Sequence, residues 1–389
     1  MSNEQMTEGL IEYIYWRGDL LFEQSPFNEV DNVVLSELVY LDLSPVLDAM
    51  SGHGPTLEEA YQKICELGKY KFRTTFGGNE PFVRAVAESR RFGSLRLTYY
   101  KDVFEKERVQ FAAVHFELNN TTSYIAFRGT DNSIIGWRED FMTSFTKIPG
   151  QEIALEYLKE TMQKSRDYYL GGHSKGGNLA IYAGSLISPM MRRHVLRIFD
   201  NDGPGFCEDV YDLNVIRQVD PILTKIVPEY DVIGQLFWRE IPDVRIVKTS
   251  AAGLFQHDLM SWKARGPQLI RAEQLDPSVK LVNETLDDWI RTADAGSRAA
   301  FVKDLFDSFQ INGAVNLNDL SLKAIPDVLK AMMDSSEETK ELVKTLQKTY
   351  LENVKKHAGK LIGSFAEEKM GLLNGIVKKT IKEEETEAK

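Results

Sequence analysis

The segment that decides the fold is YYLGGHSKGGN, residues 168–178. An aromatic and apolar run leads into the pattern Gly-x-Ser-x-Gly, which consists of Gly172, Ser174 and Gly176, and a helical pattern follows over 178–187. This order is typical of a strand that turns sharply into a helix with the serine at the apex. Small glycines let neighbouring backbone come close, so the serine is expected to be strained and exposed. The segment predicts a nucleophilic serine; the alternative is an ordinary glycine-rich turn before a helix.

Short strand-like runs surround this turn in the middle of the chain. They lie at 95–100, 110–118, 123–128, 168–171, 195–199, 224–227 and 244–249. Only a charged turn and an Asn-Asn pair separate the first three runs, which indicates antiparallel pairing. Helical segments at 152–164, 178–187 and 208–223 separate the later runs, which indicates crossovers and parallel pairing. The sequence therefore predicts an α/β-hydrolase fold with a mostly parallel central sheet flanked by helices.

Helical patterns occupy both ends of the chain. Apolar residues recur at helical spacing from residue 10 onward, and again between residues 342 and 354. We predict an N-terminal helical region over 1–90 packed on the core, the α/β core over 91–262, and a C-terminal helical region over 263–389. The C-terminal helices are expected to form a cap, a dimer contact or a partner surface, and peripheral membrane contact is the alternative.

The composition excludes several classes of protein. The 389 residues are 43% hydrophobic and 27% charged, which suits a large core and excludes global disorder. The 47 basic and 58 acidic residues give a net charge of −11, which argues against a nucleic-acid binder. Two cysteines, Cys65 and Cys207, are too few for a disulfide scaffold and favour a reducing compartment. Without a signal-peptide pattern or an apolar run of about 18 residues, a cytoplasmic protein with no transmembrane segment is expected.

A serine nucleophile needs a neutral histidine as base and a carboxylate that orients it. In the α/β-hydrolase fold both follow the serine, the acid first and the histidine second. Three of the six histidines precede the serine, His194 adjoins the next predicted strand, and His357 lies in the C-terminal helical region. His257 follows the last predicted strand by a short loop and is the predicted base.

The predicted acid is Asp231, which follows the run 224–227 and precedes the predicted base by 26 residues. Asp200 and Asp202, one strand earlier, and the nearer Glu229 remain alternatives. Each of these carboxylates has the competing interpretation of an ordinary loop residue.

The oxyanion hole is predicted from two backbone N–H groups. Thr130 follows the run 123–128 and offers both its N–H and its hydroxyl, while the N–H of Lys175 lies at the start of the helix. The side chain of Lys175 is expected either at a solvated rim or against an anionic part of a substrate. His173, beside the serine, is expected to pack rather than to catalyse.

Several motifs together resemble the class 3 lipase branch of the α/β-hydrolases, namely FRGT at 127–130, WREDF at 137–141 and GHSKGG at 172–177. More closely, the chain is similar to an uncharacterised bacterial family of this type, through YWRGD at 15–19, PFNEVDN at 26–32 and DGPG at 202–205. The resemblance covers roughly residues 8–262.

This resemblance implies the same site residues as the order of the motifs: nucleophile Ser174, acid Asp231, base His257 and oxyanion residue Thr130. It also implies scaffolding roles for Arg128 and Asp140, as an ion pair that holds the oxyanion loop. Class 3 lipases usually carry an apolar residue where Lys175 stands, and they tend to be secreted with an apolar lid. A lipase that acts at a triglyceride interface is therefore not expected.

The sequence thus predicts an intracellular serine hydrolase that cleaves an acyl ester through an acyl-enzyme intermediate. Its substrate is expected to be a small-molecule or lipid ester. No metal or organic cofactor is predicted, because no cluster of His and Cys has ligand spacing. The alternative from another class is a non-catalytic binding or scaffold protein on a hydrolase fold.

Overall fold

A computed structural model describes residues 8–73, 80–105, 109–130, 146–231, 233–237 and 239–276, together with the single positions 279, 287, 296 and 340. The chain divides into two compact units, Met1–Asp276 and Pro277–Lys389. Most of the predicted C-terminal helical region, including the apolar pattern between residues 342 and 354, lies outside the described residues. The elements described below all belong to the first unit.

A seven-stranded sheet forms the centre of the first unit, and its spatial order follows the chain. The strands are β1 (Arg96–Glu105), β2 (Val109–Glu117), β3 (Thr122–Phe127), β4 (Asp167–His173), β5 (Val195–Asn201), β6 (Leu223–Pro228) and β7 (Val244–Val247). β1, β2 and β3 pair antiparallel, whereas every pair from β3 to β7 is parallel. The predicted α/β-hydrolase fold, with a mostly parallel sheet after an antiparallel start, is confirmed.

Helices precede the sheet and connect its parallel strands. The described α-helices are α1 (Leu10–Arg17), α2 (Glu29–Leu38), α3 (Leu57–Glu66), α4 (Glu80–Glu88), α5 (Arg90–Gly93), α6 (Pro149–Thr161), α7 (Lys175–Leu186), α8 (Pro189–Arg192) and α9 (Leu213–Ile216). Short 3₁₀ helices cover Arg217–Ile222, Gly253–His257 and Leu259–Ser261, and a small ribbon pairs β8 (Ala264–Arg265) with β9 (Gln268–Leu269). The helix expected over 208–223 is shorter and becomes 3₁₀, because Pro221 lacks the N–H that an α-helix requires.

The sheet is buried on both faces, as its alternating side chains show in β3. Tyr124 and Ala126 pack into a core built largely from the N-terminal helices. Ile125 and Phe127 point the other way, into a core shared with α6 and α7. Because successive side chains of a strand alternate between faces, this division requires helices on both sides of the sheet.

A buried ion pair ties the N-terminal helices together. Asp31 caps the start of α2, and its carboxylate also accepts bonds from Arg91, at 2.8 Å from Nε and 2.5 Å from Nη2. Both side chains are fully buried, and Tyr13 donates its hydroxyl to the same carboxylate at 2.8 Å. The bidentate geometry compensates for the cost of removing both charges from water.

Replacing Arg91 with Ala is expected to lower the free energy of unfolding by about 3–5 kcal/mol, because the carboxylate of Asp31 is left buried and unpaired. The measurement is urea unfolding of the full chain. Arg84→Ala, which breaks an exposed pair with Glu80, is the control and should leave the urea midpoint nearly unchanged. Equal midpoints for the two variants would contradict the role given to the buried pair.

Candidate active site

The predicted strand–turn–helix around the serine is present. β4 ends at His173, α7 begins at Lys175, and Ser174 between them has φ 56° and ψ −126°. This backbone conformation is unfavourable for a residue with a side chain and costs about 1–3 kcal/mol. The serine was expected to be exposed, but only 4% of its surface is, because neighbouring strand ends crowd the turn.

Two glycines let the end of β3 press against the turn. A Cβ atom on Gly172 would lie 2.4 Å from the carbonyl oxygen of Phe127, and one on Gly176 would lie 2.1 Å from the same atom. Real Cβ atoms are never found this close to backbone, so only glycine fits at either position. The close approach also includes Gly129, which precedes the buried Thr130: a Cβ atom on Gly129 would lie 2.5 Å from the carbonyl oxygen of His173.

The end of β5 lies on the other side of the serine. Ser174 donates its N–H to the carbonyl of Asn201 at 2.9 Å, and the Asn201 side chain donates to the carbonyl of Gly172 at 3.0 Å. Asn201 is itself held by Asn32 of α2, which donates to its side-chain oxygen at 2.8 Å. A polar network from an N-terminal helix therefore fixes the residue that adjoins Asp202.

His257 and Asp202 form a short hydrogen bond beside this turn. Nδ1 of His257 lies 2.6 Å from Oδ2 of Asp202, and both side chains are buried. A carboxylate accepts hydrogen bonds, so the proton is held on Nδ1 and the lone pair is left on Nε2. This is the tautomer that a general base requires.

The carboxylate on His257 corrects the expected pairing. The sequence analysis favoured Asp231 and kept Asp202 as an alternative, and the structure gives the Nδ1 contact to Asp202. The reason is local: Asp202 directly follows Asn201, in a turn where its φ is 58°. Aspartate tolerates this left-handed conformation better than most residues. The Asp-Gly-Pro-Gly sequence at 202–205 was the signal for such a turn.

The other carboxylates have different contacts. Asp200 pairs with the buried Lys225 at 2.6 Å and accepts the N–H of Gly203 at 2.8 Å, so it holds the turn that carries Asp202.

Asp231 is fully buried and accepts the N–H of Gly234 at 2.6 Å. Glu229 is half-buried just after β6.

His173 fastens the loop of His257 to the end of β4. Its Nε2 lies 2.8 Å from the carbonyl oxygen of His257, and its Nδ1 lies 3.2 Å from the hydroxyl of Tyr40. A carbonyl only accepts, so Nε2 carries the proton and Tyr40 donates to Nδ1. Burial holds the pKa of His173 well below its ordinary value, and a positive charge on a protonated His257 would lower it further, so this ring stays neutral. The packing role expected for His173 is the one observed.

The remaining predicted residues lie around this centre. Lys175 is fully buried, so the expectation of a solvated rim for its side chain is wrong. Its N–H lies in the first turn of α7, where backbone donors have no acceptor within the helix. Arg128 pairs with Asp102 at 3.1 Å, and Asp140, its expected partner, lies outside the described residues.

Among the described residues, no group of three or more His, Cys, Asp or Glu side chains is placed to hold a metal ion. Within the same part of the chain, no helix has the length and apolar character needed to span a bilayer.

The chain is similar to one family model and to several solved structures. A family model described as Mbeg1-like matches residues 86–307, and no curated protein matches the chain. Solved structures with a similar fold include M37 lipase, at 15% identity and TM-score 0.34, covering 55% of this chain and 70% of that one. They also include a mutant form of MDLA from Penicillium cyclopium, at 13% identity and TM-score 0.37, covering 62% of this chain and 84% of that one. A propeptide complex of Rhizomucor miehei lipase matches at 15% identity and TM-score 0.33, covering 57% and 67%.

Replacing Gly176 with Ala is expected to lower the free energy of unfolding by about 1–3 kcal/mol or more, because its Cβ would overlap the carbonyl of Phe127. Gly150→Ala is the matched control, since the nearest atom to its Cβ lies at 3.6 Å and Ala suits the helix better than Gly. Urea unfolding measures both variants. A Gly176→Ala protein as stable as Gly150→Ala would show that β3 does not press on the turn.

Proposed function

The chain belongs to the Mbeg1-like family, and we propose that it is a serine hydrolase that cleaves an acyl ester through an acyl-enzyme intermediate. One observation carries the proposal. His257 is bonded through Nδ1 to the buried carboxylate of Asp202, and both residues are tied to the backbone that flanks the strained Ser174. A serine, an imidazole and a carboxylate in this order are the parts of a serine nucleophile that a histidine base activates and a carboxylate orients.

In the proposed reaction, Ser174 attacks the carbonyl carbon of the ester while Nε2 of His257 takes its proton. Asp202 stabilises the imidazolium that forms and keeps the ring in place. Backbone N–H groups of Thr130 and Lys175 stabilise the negative oxygen of the tetrahedral intermediate, aided by the positive end of α7. His257 then protonates the leaving alcohol. In the second half of the reaction water attacks the acyl-enzyme while His257 takes its proton, and that proton returns to Oγ of Ser174 as the carboxylic acid leaves.

The substrate class is proposed from the structures to which the chain is similar. The similar structures are described as lipases, which supports an ester of a fatty or other acyl group. A small-molecule or lipid ester is therefore the proposed substrate. A cytoplasmic location is part of the proposal and is supported by Cys65 and Cys207, neither of which is in a disulfide bond.

Replacing Ser174 with Ala is expected to abolish labelling by a fluorophosphonate probe and to lower kcat/KM on p-nitrophenyl esters by at least about 10³-fold. The nucleophile is lost, whereas the fold keeps its melting temperature. Ser185→Ala, a buried serine of the same helix α7, is the control and should label like the wild-type protein. Undiminished labelling of Ser174→Ala would exclude Ser174 as the nucleophile, whereas no labelling of the wild-type protein would favour a non-catalytic scaffold.

Replacing Asp202 with Asn is expected to lower kcat by about 10⁴-fold, because the amide does not hold the proton on Nδ1 of His257. Asp167→Asn is the matched control, since Asp167 contacts Nδ1 of His194 at 3.1 Å away from the site. Stopped assays with p-nitrophenyl esters of several chain lengths measure both variants. If Asp202→Asn kept wild-type kcat, another carboxylate would have to orient the base.

The pH profile should show the same carboxylate. Burial raises the pKa of Asp202 to about 6. The reaction needs Asp202 ionised and Nε2 of His257 without a proton, so kcat/KM is expected to fall as the pH drops through about 6, and this acid limb belongs to the hydrogen-bonded pair. The test is the pH dependence of kcat/KM between pH 4 and 9, and an acid limb near the ordinary aspartate pKa of about 3.9 would contradict it.

A further inference from the structure

One oxygen of the orienting carboxylate lacks an evident donor. Oδ2 of Asp202 accepts from His257, whereas Oδ1 is buried and accepts no hydrogen bond from an N–H or hydroxyl group of the described residues. A buried carboxylate oxygen without a donor costs about 1–3 kcal/mol or more. The surroundings of Oδ1 therefore need an explanation.

The remaining candidate donor is the carboxyl group of Asp231, because the N–H of Gly234, which also lies near Asp202, donates to Oδ1 of Asp231 at 2.6 Å. A Cβ atom on Gly234 would lie 2.6 Å from Oδ1 of Asp202 and 2.9 Å and 3.1 Å from the two oxygens of Asp231. The two carboxyl groups therefore converge on one small space, which only glycine leaves open. They also interact with each other through a side-chain hydrogen bond.

Two ionised carboxylates cannot make this bond, because each of them only accepts. One proton between the groups removes both the repulsion and the missing donor. Asp202 has to stay ionised to accept from Nδ1 of His257, so the proton belongs on Asp231. Burial and the charge of Asp202 both raise the pKa of Asp231 well above its ordinary value, which agrees with this placement.

The local charge count agrees as well. Asp200 and Lys225 form an ion pair at 2.6 Å, so their charges cancel. With Asp231 neutral, these four groups carry a single negative charge, on Asp202. The imidazolium of His257 that forms during the reaction neutralises that charge, whereas an ionised Asp231 would leave a second charge buried.

We propose that Asp231 is a positioning residue, whose carboxylic acid donates its O–H to Oδ1 of Asp202 and turns Oδ2 towards His257. The role rests on the proposed function of Ser174, His257 and Asp202. In this role Asp231, the acid predicted from its type and its place after β6, acts through Asp202.

The kinetic test compares Asp231→Ala, which removes the donor, with Asp231→Asn, which replaces it by an amide N–H. Asp231→Ala is expected to lower kcat/KM at least tenfold. It should also move the acid limb, the acidic side of the kcat/KM pH profile, to higher pH, because the ionised form of Asp202 loses a hydrogen bond that stabilises it. Asp231→Asn should recover at least tenfold over Asp231→Ala and keep the limb in place. An ionised Asp231 predicts the opposite direction, since removing a negative charge lowers the pKa of Asp202.

Gln235→Ala is the matched control, because Gln235 donates to Oδ2 of Asp231 at 3.2 Å and does not supply the bond to Asp202. Its acid limb should stay where the wild-type limb is. A limb that moves to lower pH in Asp231→Ala, or equal kcat/KM for Asp231→Ala and Asp231→Asn, would overturn the proposal.

A second measurement needs neither turnover nor a variant that folds. Carbon-13 NMR of the full chain labelled at aspartate Cγ should show one buried carboxyl that stays protonated at neutral pH. Loss of this signal in folded Asp231→Asn protein assigns it to Asp231. Every buried aspartate ionised at pH 7 would overturn the proposal. Absent labelling and turnover with this protonated carboxyl present would overturn the proposed function while retaining the carboxyl pairing.

Discussion

The hydrogen bond between His257 and Asp202 is the contact on which the account of this site depends. It joins a loop after β7 to the turn after β5, across 55 residues of chain, at 2.6 Å in a buried setting. Each partner is fixed independently: His173 holds the carbonyl of His257, and the Asp200–Lys225 pair holds the turn of Asp202. Because both sides are anchored to backbone, the imidazole is oriented before any substrate binds, which is the condition for efficient catalysis.

The N-terminal helices contribute to the same arrangement. α2 packs on β4 and β3, and its Asn32 bonds to Asn201, whose carbonyl receives the N–H of Ser174. Tyr40, just after α2, reaches His173 from the same side. The strained backbone of Ser174 persists because strands, glycines and this helix together leave it no relaxed alternative. The helical segment that precedes the sheet is therefore a structural part of the site.

Much of this architecture could be predicted from the sequence, since it follows from periodicity. Each of the seven predicted strands overlaps an observed strand, because runs of apolar and β-branched residues are typical of strands buried in a sheet. The serine turn could also be predicted, because close backbone approach restricts positions 172 and 176 to glycine. Local patterns of this kind need no knowledge of distant contacts.

The errors concern contacts made through space. Asp202 and Asp231 are both aspartates after neighbouring strands, and spacing alone does not say which one reaches His257; the left-handed turn at Asp202 decides it. The side chain of Lys175 was expected either at a solvated rim or against an anionic part of a substrate, yet at the start of α7 it is fully buried. Such outcomes depend on which elements converge at one point, and the chain's local pattern does not contain that information.

The most direct test is a crystal structure of the full chain after reaction with a fluorophosphonate. The account predicts phosphorus bonded to Oγ of Ser174, with Nε2 of His257 hydrogen-bonded to the adduct. Its phosphoryl oxygen should lie about 3 Å from the N–H groups of Thr130 and Lys175. Phosphorus on another side chain, or an adduct on Ser174 with His257 turned away and bonded elsewhere, would contradict the central claim.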